Sequence, residues 1–169
     1  GLNGPTSKVV SGWGIDGVTT FQRGFPVKLN YGKGTSLSAL SLGTGTLRPN
    51  VVAGCHKSVS GSPVSKLSGW FNTSCFMAPP DYGFGNEARV DPNLRQQGIN
   101  NFDFAVFKKT IIAERAAIEF RTEFFNLFNR PQFGPPNGTC CTSNNANFGV
   151  VTSTINNPRL IQFALKFEF

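Results

Sequence analysis

Across residues 9–23, Trp13, Ile15, Gly17, Thr19 and Phe21 alternate with Gly14, Asp16, Thr20 and Gln22. A period of two puts successive side chains on opposite faces, so this segment is predicted as a strand with one apolar face. Gly24 marks a turn, and beyond it Phe25, Val27, Leu29 and Tyr31 alternate with Pro26, Lys28, Asn30 and Gly32. That pattern predicts a strand over 25–32, hairpinned antiparallel on the first, with Pro26 at its start because proline donates no ladder hydrogen bond. Alternation resumes over 101–108, where Phe102, Phe104 and Val106 oppose Asp103, Ala105 and Phe107, and a turn is expected near Lys109. Over 115–128, Ile118, Phe120, Thr122, Phe124 and Phe128 form an apolar set against Glu119, Arg121 and Glu123. Good helix formers in the same stretch allow a helix, but three phenylalanines in five positions and the Asn-Arg-Pro end favour a strand. A short strand is expected over 148–154. Over 159–169, Ile161, Phe163, Leu165, Phe167 and Phe169 face one way and Gln162, Ala164, Lys166 and Glu168 the other.

Between these strands the pattern breaks down. Residues 33–100 are rich in Gly, Ser, Thr, Asn and Pro around the apolar pairs Trp70–Phe71 and Phe76–Met77, predicting one very long loop, with consecutive turns over 78–85. A loop of that length is normally functional or held by something else. A second loop covers 131–147. The chain is 169 residues, a size compatible with one domain, and its 19 Gly and 11 Pro exclude a helical bundle. The predicted class is all-β: an antiparallel sheet of about six strands with long Gly/Pro/Asn-rich loops.

Four cysteines, Cys55, Cys75, Cys140 and Cys141, lie in turn-like surroundings and suit an oxidising compartment. The preferred pairing is Cys55 with Cys75, which would staple the long loop. Cys140 and Cys141 either bond to each other or each reach back to a distant cysteine. His56 next to Cys55 lacks the spacing of a structural zinc site and is expected as an exposed loop residue, so neither metal nor cofactor is expected. The net charge is +7 with an isoelectric point near 9.6, yet Lys and Arg are scattered, with no finger or aromatic RNA-binding block, and no nucleic-acid partner is expected. One histidine, and the absence of GxSxG, HExxH and P-loop motifs, argue against an enzyme. Glu119 and Glu123 could imitate a glycosidase pair, but alternating charge on a solvated face explains them better. Asn72-Thr73-Ser74 and Asn137-Gly138-Thr139 match the N-glycosylation pattern in loops so rich in Asn, Ser and Thr that chance suffices.

No run approaches the ~18 apolar residues of a transmembrane helix, and the mean hydropathy is −0.14. A transmembrane β-barrel remains open, because its strands need only about ten alternating residues. The chain begins at Gly1, with neither an initiator Met nor a signal peptide, as expected of a processed product or a piece of something longer.

The terminal segment LIQFALKFEF resembles the assembly signal of bacterial outer-membrane β-barrels, in which alternating apolar residues end in an aromatic. More specifically, GWGIDGVTTFQRGFPV, FRTEFFNLFNRPQFGPP and NPRLIQFALKFEF resemble the C-terminal barrel region of Oar-like TonB-dependent receptors, which carry a carboxypeptidase-regulatory-like domain. WFNTSCF and FGNEARVDPNLRQQGINNFDFAVFKK fit the same order. The resemblance spans nearly the whole chain. It implies a wall segment and extracellular loops for substrate binding and uptake, with the lipid bilayer and the barrel-insertion machinery as partners. Ile118, Phe120, Phe124 and Phe128 would meet lipid, and Glu119, Arg121, Glu123, Lys166 and Glu168 the lumen. Ile161, Phe163, Leu165, Phe167 and Phe169 would be the assembly signal.

The plug and TonB-contacting segment of a complete receptor are missing from the sequence, and about six strands cannot close a barrel of roughly twenty-two. An open sheet leaves two edges and an apolar face to be covered. The alternative to an outer-membrane location is therefore extracellular: a self-assembling fibre subunit whose copies pair strand to strand, the terminal strand being donated. Only two Trp and two Tyr are available for aromatic girdles, which favours the fibre.

Overall fold

The computed structural model describes residues 4–32, 47–141 and 146–169; the part of the long loop over 33–46 lies outside them. A short helix, α1 (Pro5–Val10), precedes eight strands: β1 (Trp13–Gln22), β2 (Asn30–Tyr31), β3 (Asn50–Val51), β4 (Phe76–Met77), β5 (Ile99–Ala113), β6 (Ala116–Phe125), β7 (Thr139–Cys140) and β8 (Leu160–Glu168). The chain is all-β, and it divides into two compact units.

Unit 1 comprises Gly1–Gln22, Ile99–Pro131 and Asn156–Phe169. Its frame is a four-stranded antiparallel sheet in the order β1-β5-β6-β8. Ile15 pairs with Val106, Val106 with Thr122, and Thr122 with Phe163, so one row runs across all four strands. This register puts Trp13, Ile15, Phe21, Phe102, Phe104, Val106, Ile118, Phe120, Phe124, Ile161, Phe163, Leu165 and Phe167 on one face. Aromatic and β-branched residues suit the pleated surface. β5 and β6 form a hairpin through Glu114 and Arg115, with a register shift between Ile111 and Ala113.

Unit 2 comprises Arg23–Gly98 and Gln132–Ile155. Its core is built mostly from loops, with Phe76 of β4 and Cys140 of β7: Val27, Leu29, Trp70, Phe71, Cys75, Phe76, Leu94, Cys140, Phe148 and Val151 are all buried. Phe71, Phe76 and Phe148 meet edge to face at centroid distances of 5.1–5.9 Å. Short ladders tie the loops together, β2 parallel to β7 and β3 antiparallel to β4. The Trp70 indole N–H donates to the Arg95 carbonyl at 2.7 Å.

Several expectations need correction. Residues 25–32 do not hairpin onto β1, whose ladder partner is β5. Val27 N–H donates to Leu94 O and Gln96 N–H to Phe25 O, so the segment after β1 runs beside 94–97, and Pro26 forms an isolated bridge with Arg95. Gly24 serves this close approach, since the Gln96 carbonyl leaves no room there for a Cβ. The first strand starts at Trp13, because Pro5–Val10 is helical with Pro at its first turn. No turn forms at Lys109; β5 continues to Ala113. The expected strand over 148–154 is absent but for an isolated bridge from Thr154 to Phe133, and Phe148 is buried in unit 2. β6 ends at Phe125, so Phe128 lies in the following turn rather than on the strand. Asn126 and Asn129, both at positive φ, make that turn. The principal sheet has four strands rather than six, and 47–98 is not one open loop but the larger part of a packed unit.

Candidate functional site

Unit 1 presents two unlike surfaces. On the apolar face Ile15, Phe21, Phe163 and Leu165 are 70%, 69%, 68% and 72% exposed, although each belongs to the period-two set that normally forms a core. Phe120 stacks on Phe163 at 6.2 Å, and Phe167 on Phe169 at 5.9 Å. The segment Ile161, Phe163, Leu165, Phe167 thus lies along the outer edge strand β8, with Phe169 just past its end. Phe128, though off the strand, contacts Phe102 edge-on at 5.1 Å.

On the opposite face charges are paired. Arg121 donates to Glu123 at 2.8 Å and reaches Asp16, two strands away, at 3.4 Å. This reach is possible because Ala105, on the strand between, is small. The guanidinium also lies 5.6 Å over the Phe107 ring, which covers Gly14 so closely that no Cβ would fit. Glu168 accepts from Lys109 at 2.5 Å and from Lys166 at 2.8 Å, and Glu119 stands opposite Lys166 in the ladder. Glu119, Arg121, Glu123, Lys166 and Glu168 therefore share one face, where Asp16, Asp103 and Lys109 join them. Asp103 was not anticipated as a site residue; it accepts from Asn126 N–H at 2.8 Å and from Asn101 at 2.9 Å, which fixes the chain leaving β6. A shallow cavity of about 130 Å³ lies among Asp16, Asp103, Arg121 and Glu123. Pockets for drug-sized ligands span roughly 300–1,000 Å³, so this one suits a few waters.

Unit 2 carries the remaining candidates. Cys55 bonds to Cys75, the preferred pairing, and Cys140 bonds to its neighbour Cys141, the first of the two alternatives. Cys141 takes a left-handed backbone, φ 66°. His56 is exposed, and among the described residues no group of His, Cys, Asp and Glu is arranged to hold a metal. An ion cluster that the sequence did not reveal sits under the loops. Lys57 bonds Glu87 at 3.2 Å and pairs with Asp91, both carboxylates being almost fully buried. Burial alone would lower the Lys57 pKa, but its hydrogen bonds to Asp91 and Glu87 outweigh this and raise it. Burial dominates at Glu87 and raises its carboxyl against the pull of Lys57. At Asp91 burial also pushes upward, yet Lys57 and the Asn93 N–H hold the carboxyl below its ordinary value. The cluster is a structural clamp between distant loop segments.

An antiparallel sheet with an exposed apolar face, a charge-paired opposite face and, among the described residues, two open edges is the arrangement that part of a β-barrel wall requires. The chain belongs to the family of outer membrane beta barrel domains, which matches over residues 1–162. No curated protein and no solved structure matches it. The family places the protein in the outer membrane.

Proposed function

We propose that the chain forms part of the wall and the outward loops of a TonB-dependent-receptor-like barrel, with no catalytic role, and that its loops help select a substrate for uptake. The observation that carries this is the apolar face of unit 1, which spans four strands, is exposed on β1 and β8 and half-buried on β5, and is interrupted by Lys108 between Trp13 and Phe120. Connection lengths support an orientation. β5 and β6 are joined by two residues, whereas the connections from β1 to β5 and from β6 to β8 are long and begin and end at the other end of the sheet. Outer-membrane barrels keep short turns on the periplasmic side and long loops outside. In this reading the apolar face, Ile118, Phe120 and Phe124 included, meets lipid, and the Arg121 and Glu168 networks face the lumen. Further strands pair with the free edges of β1 and β8, and the insertion machinery reads the alternation of β8.

The test is a spin-label scan along β8 of the full chain in lipid vesicles, reading collision with oxygen, which partitions into lipid, and with a water-soluble nickel chelate. Positions 161, 163, 165 and 167 are expected to favour oxygen and 162, 164 and 166 nickel, in strict alternation. Uniform access to nickel overturns the reading. Regular filaments formed in buffer without detergent would instead establish the fibre, the second reading, which the two open edges support.

A further inference from the structure

At the end of the apolar face where the long connections leave, unit 1 carries cations that its carboxylates do not neutralise. Phe102, on the apolar face of β5, meets Phe21 edge-on at 5.5 Å and Phe128 at 5.1 Å. The Arg130 guanidinium lies over this platform, 6.0 Å from the Phe102 centroid and 5.5 Å from that of Phe128. Arg159, one residue before β8, has the same strand parity as Ile161 and Phe163. Its backbone N–H donates to Asn129 Oδ1 at 2.9 Å and its Nη1 to the Leu127 carbonyl at 3.4 Å. The two arginines therefore bracket one turn, Asn126 to Asn129. Among the described residues neither forms an ion pair; all the pairs of unit 1 lie on the polar face.

We propose that Arg130 and Arg159, on the platform of Phe102 and Phe128, bind the anionic phosphate headgroup of a membrane lipid. The inference rests on the reading that the apolar face meets lipid. If it does, these arginines sit where the apolar band ends and headgroups begin. A guanidinium is weakly hydrated, stacks on aromatic rings and matches a phosphate with two parallel N–H donors. The turn is also preorganised independently of the Arg130 side chain. Arg130 N–H donates to Asn126 Oδ1, and its carbonyl accepts from the side-chain amides of Asn126 and Asn156. Replacing the guanidinium thus leaves the turn's own bonds in place.

Native mass spectrometry of the full chain, released from detergent micelles doped with phosphatidic acid or with phosphatidylcholine, tests this through the lipid retained. The wild type is expected to retain phosphatidic acid preferentially. Arg130→Ala or Arg159→Ala should weaken that retention roughly five-fold and the double substitution roughly thirty-fold. Arg130→Lys, which keeps charge but not the planar fork, should fall between wild type and Arg130→Ala. Equal retention of the two lipids by the wild type overturns the site, and this arm needs no variant to fold. A preference unchanged in the double variant overturns the assignment to these residues. Displacement of the lipid by inorganic phosphate at comparable concentration overturns the lipid headgroup in favour of free phosphate. A chain that takes up neither detergent nor lipid overturns the barrel-wall reading itself, an outcome distinct from the others.

Discussion

The phenylalanines in the core of unit 2 and those along the edge strand β8 of unit 1 serve opposite purposes. In unit 2, Phe71 is 2% exposed and wedged against Phe76 and Phe148; in unit 1, Phe163 is 68% exposed and stacked only along its own sheet. Unit 2 packs a core within itself, although Phe25 and Phe84 remain exposed, with a disulfide and a buried ion cluster holding the loops down. Unit 1 pairs its four strands in one ladder and leaves the apolar face exposed on β1 and β8. The hydrophobic effect therefore stabilises the core of unit 2 in water, whereas the exposed part of the unit 1 face gains little from it while it stays uncovered.

The largest expected effect breaks the comparison on the unit 2 side. Phe71→Ala should cost about 3–5 kcal/mol, the loss for a buried aromatic that leaves a cavity, read from urea unfolding followed by Trp70 fluorescence. Phe163→Ala in the same buffer should stay within about 1 kcal/mol, as exposed substitutions do. Equal losses would mean that the Phe163 face is packed in solution. Next come the disulfides. Cys55 and Cys75 are 20 residues apart, so replacing both by Ser should cost about 3 kcal/mol through the entropy of the freed loop. Cys140 and Cys141 enclose no loop, and the same replacement there should cost well under half as much in the same unfolding experiment.

These two units were unequally legible in the sequence. β8 and the centre of β6 alternate so regularly that their faces follow from period two alone, and Glu119, Arg121, Glu123, Lys166 and Glu168 do share one side. The Cys55–Cys75 staple was also the expected pairing. What periodicity could not supply was partnership. Residues 25–32 alternate as well as any strand, yet alternation does not say which backbone pairs with which, and 94–97 takes that place. Nor does it reach a core made of loops. Trp70, Phe71, Phe76 and Phe148 are isolated apolar residues among turn formers, and only tertiary contact brings them together. Lys57, Glu87 and Asp91 are likewise far apart in the chain, with no spacing that announces an ion cluster. Asn126 and Asn129 carried the one readable hint that β6 stops before Phe128, since Asn tolerates the left-handed turn.

A charge on the apolar face sharpens the comparison by making the medium decide. Phe163→Arg should cost about 2–3 kcal/mol for the protein folded in a bilayer, if the middle of β8 lies near the bilayer midplane. In detergent-free buffer the same substitution should be nearly neutral. Unfolding titrations of vesicle-reconstituted and soluble material give the two numbers, and equal costs in both media would remove lipid from the account of unit 1.

The smallest effect is the pH response of unit 2, because its two buried carboxylates shift in opposite directions. The Glu87 carboxyl lies above its ordinary 4.5, so its ionised form is disfavoured by folding; as pH falls through that raised value, protonation of Glu87 adds stability. The Asp91 carboxyl lies below its ordinary 3.8, so its contribution is complete above the unfolded value and disappears as pH falls through the lower, folded one. Stability should therefore rise slightly as pH falls toward 4.5 and decline below 3.8. Lys57 works at the other end: its pKa is raised above 10.5, so its contribution is present below that value and is lost as pH climbs through the folded one. Urea midpoints followed by Trp70 fluorescence across this range should show both limbs. Asp91→Asn should flatten the decline below pH 3.8 while Glu87→Gln removes the rise above it, and a profile unchanged by either substitution would show that the cluster does not govern the acid stability of this unit.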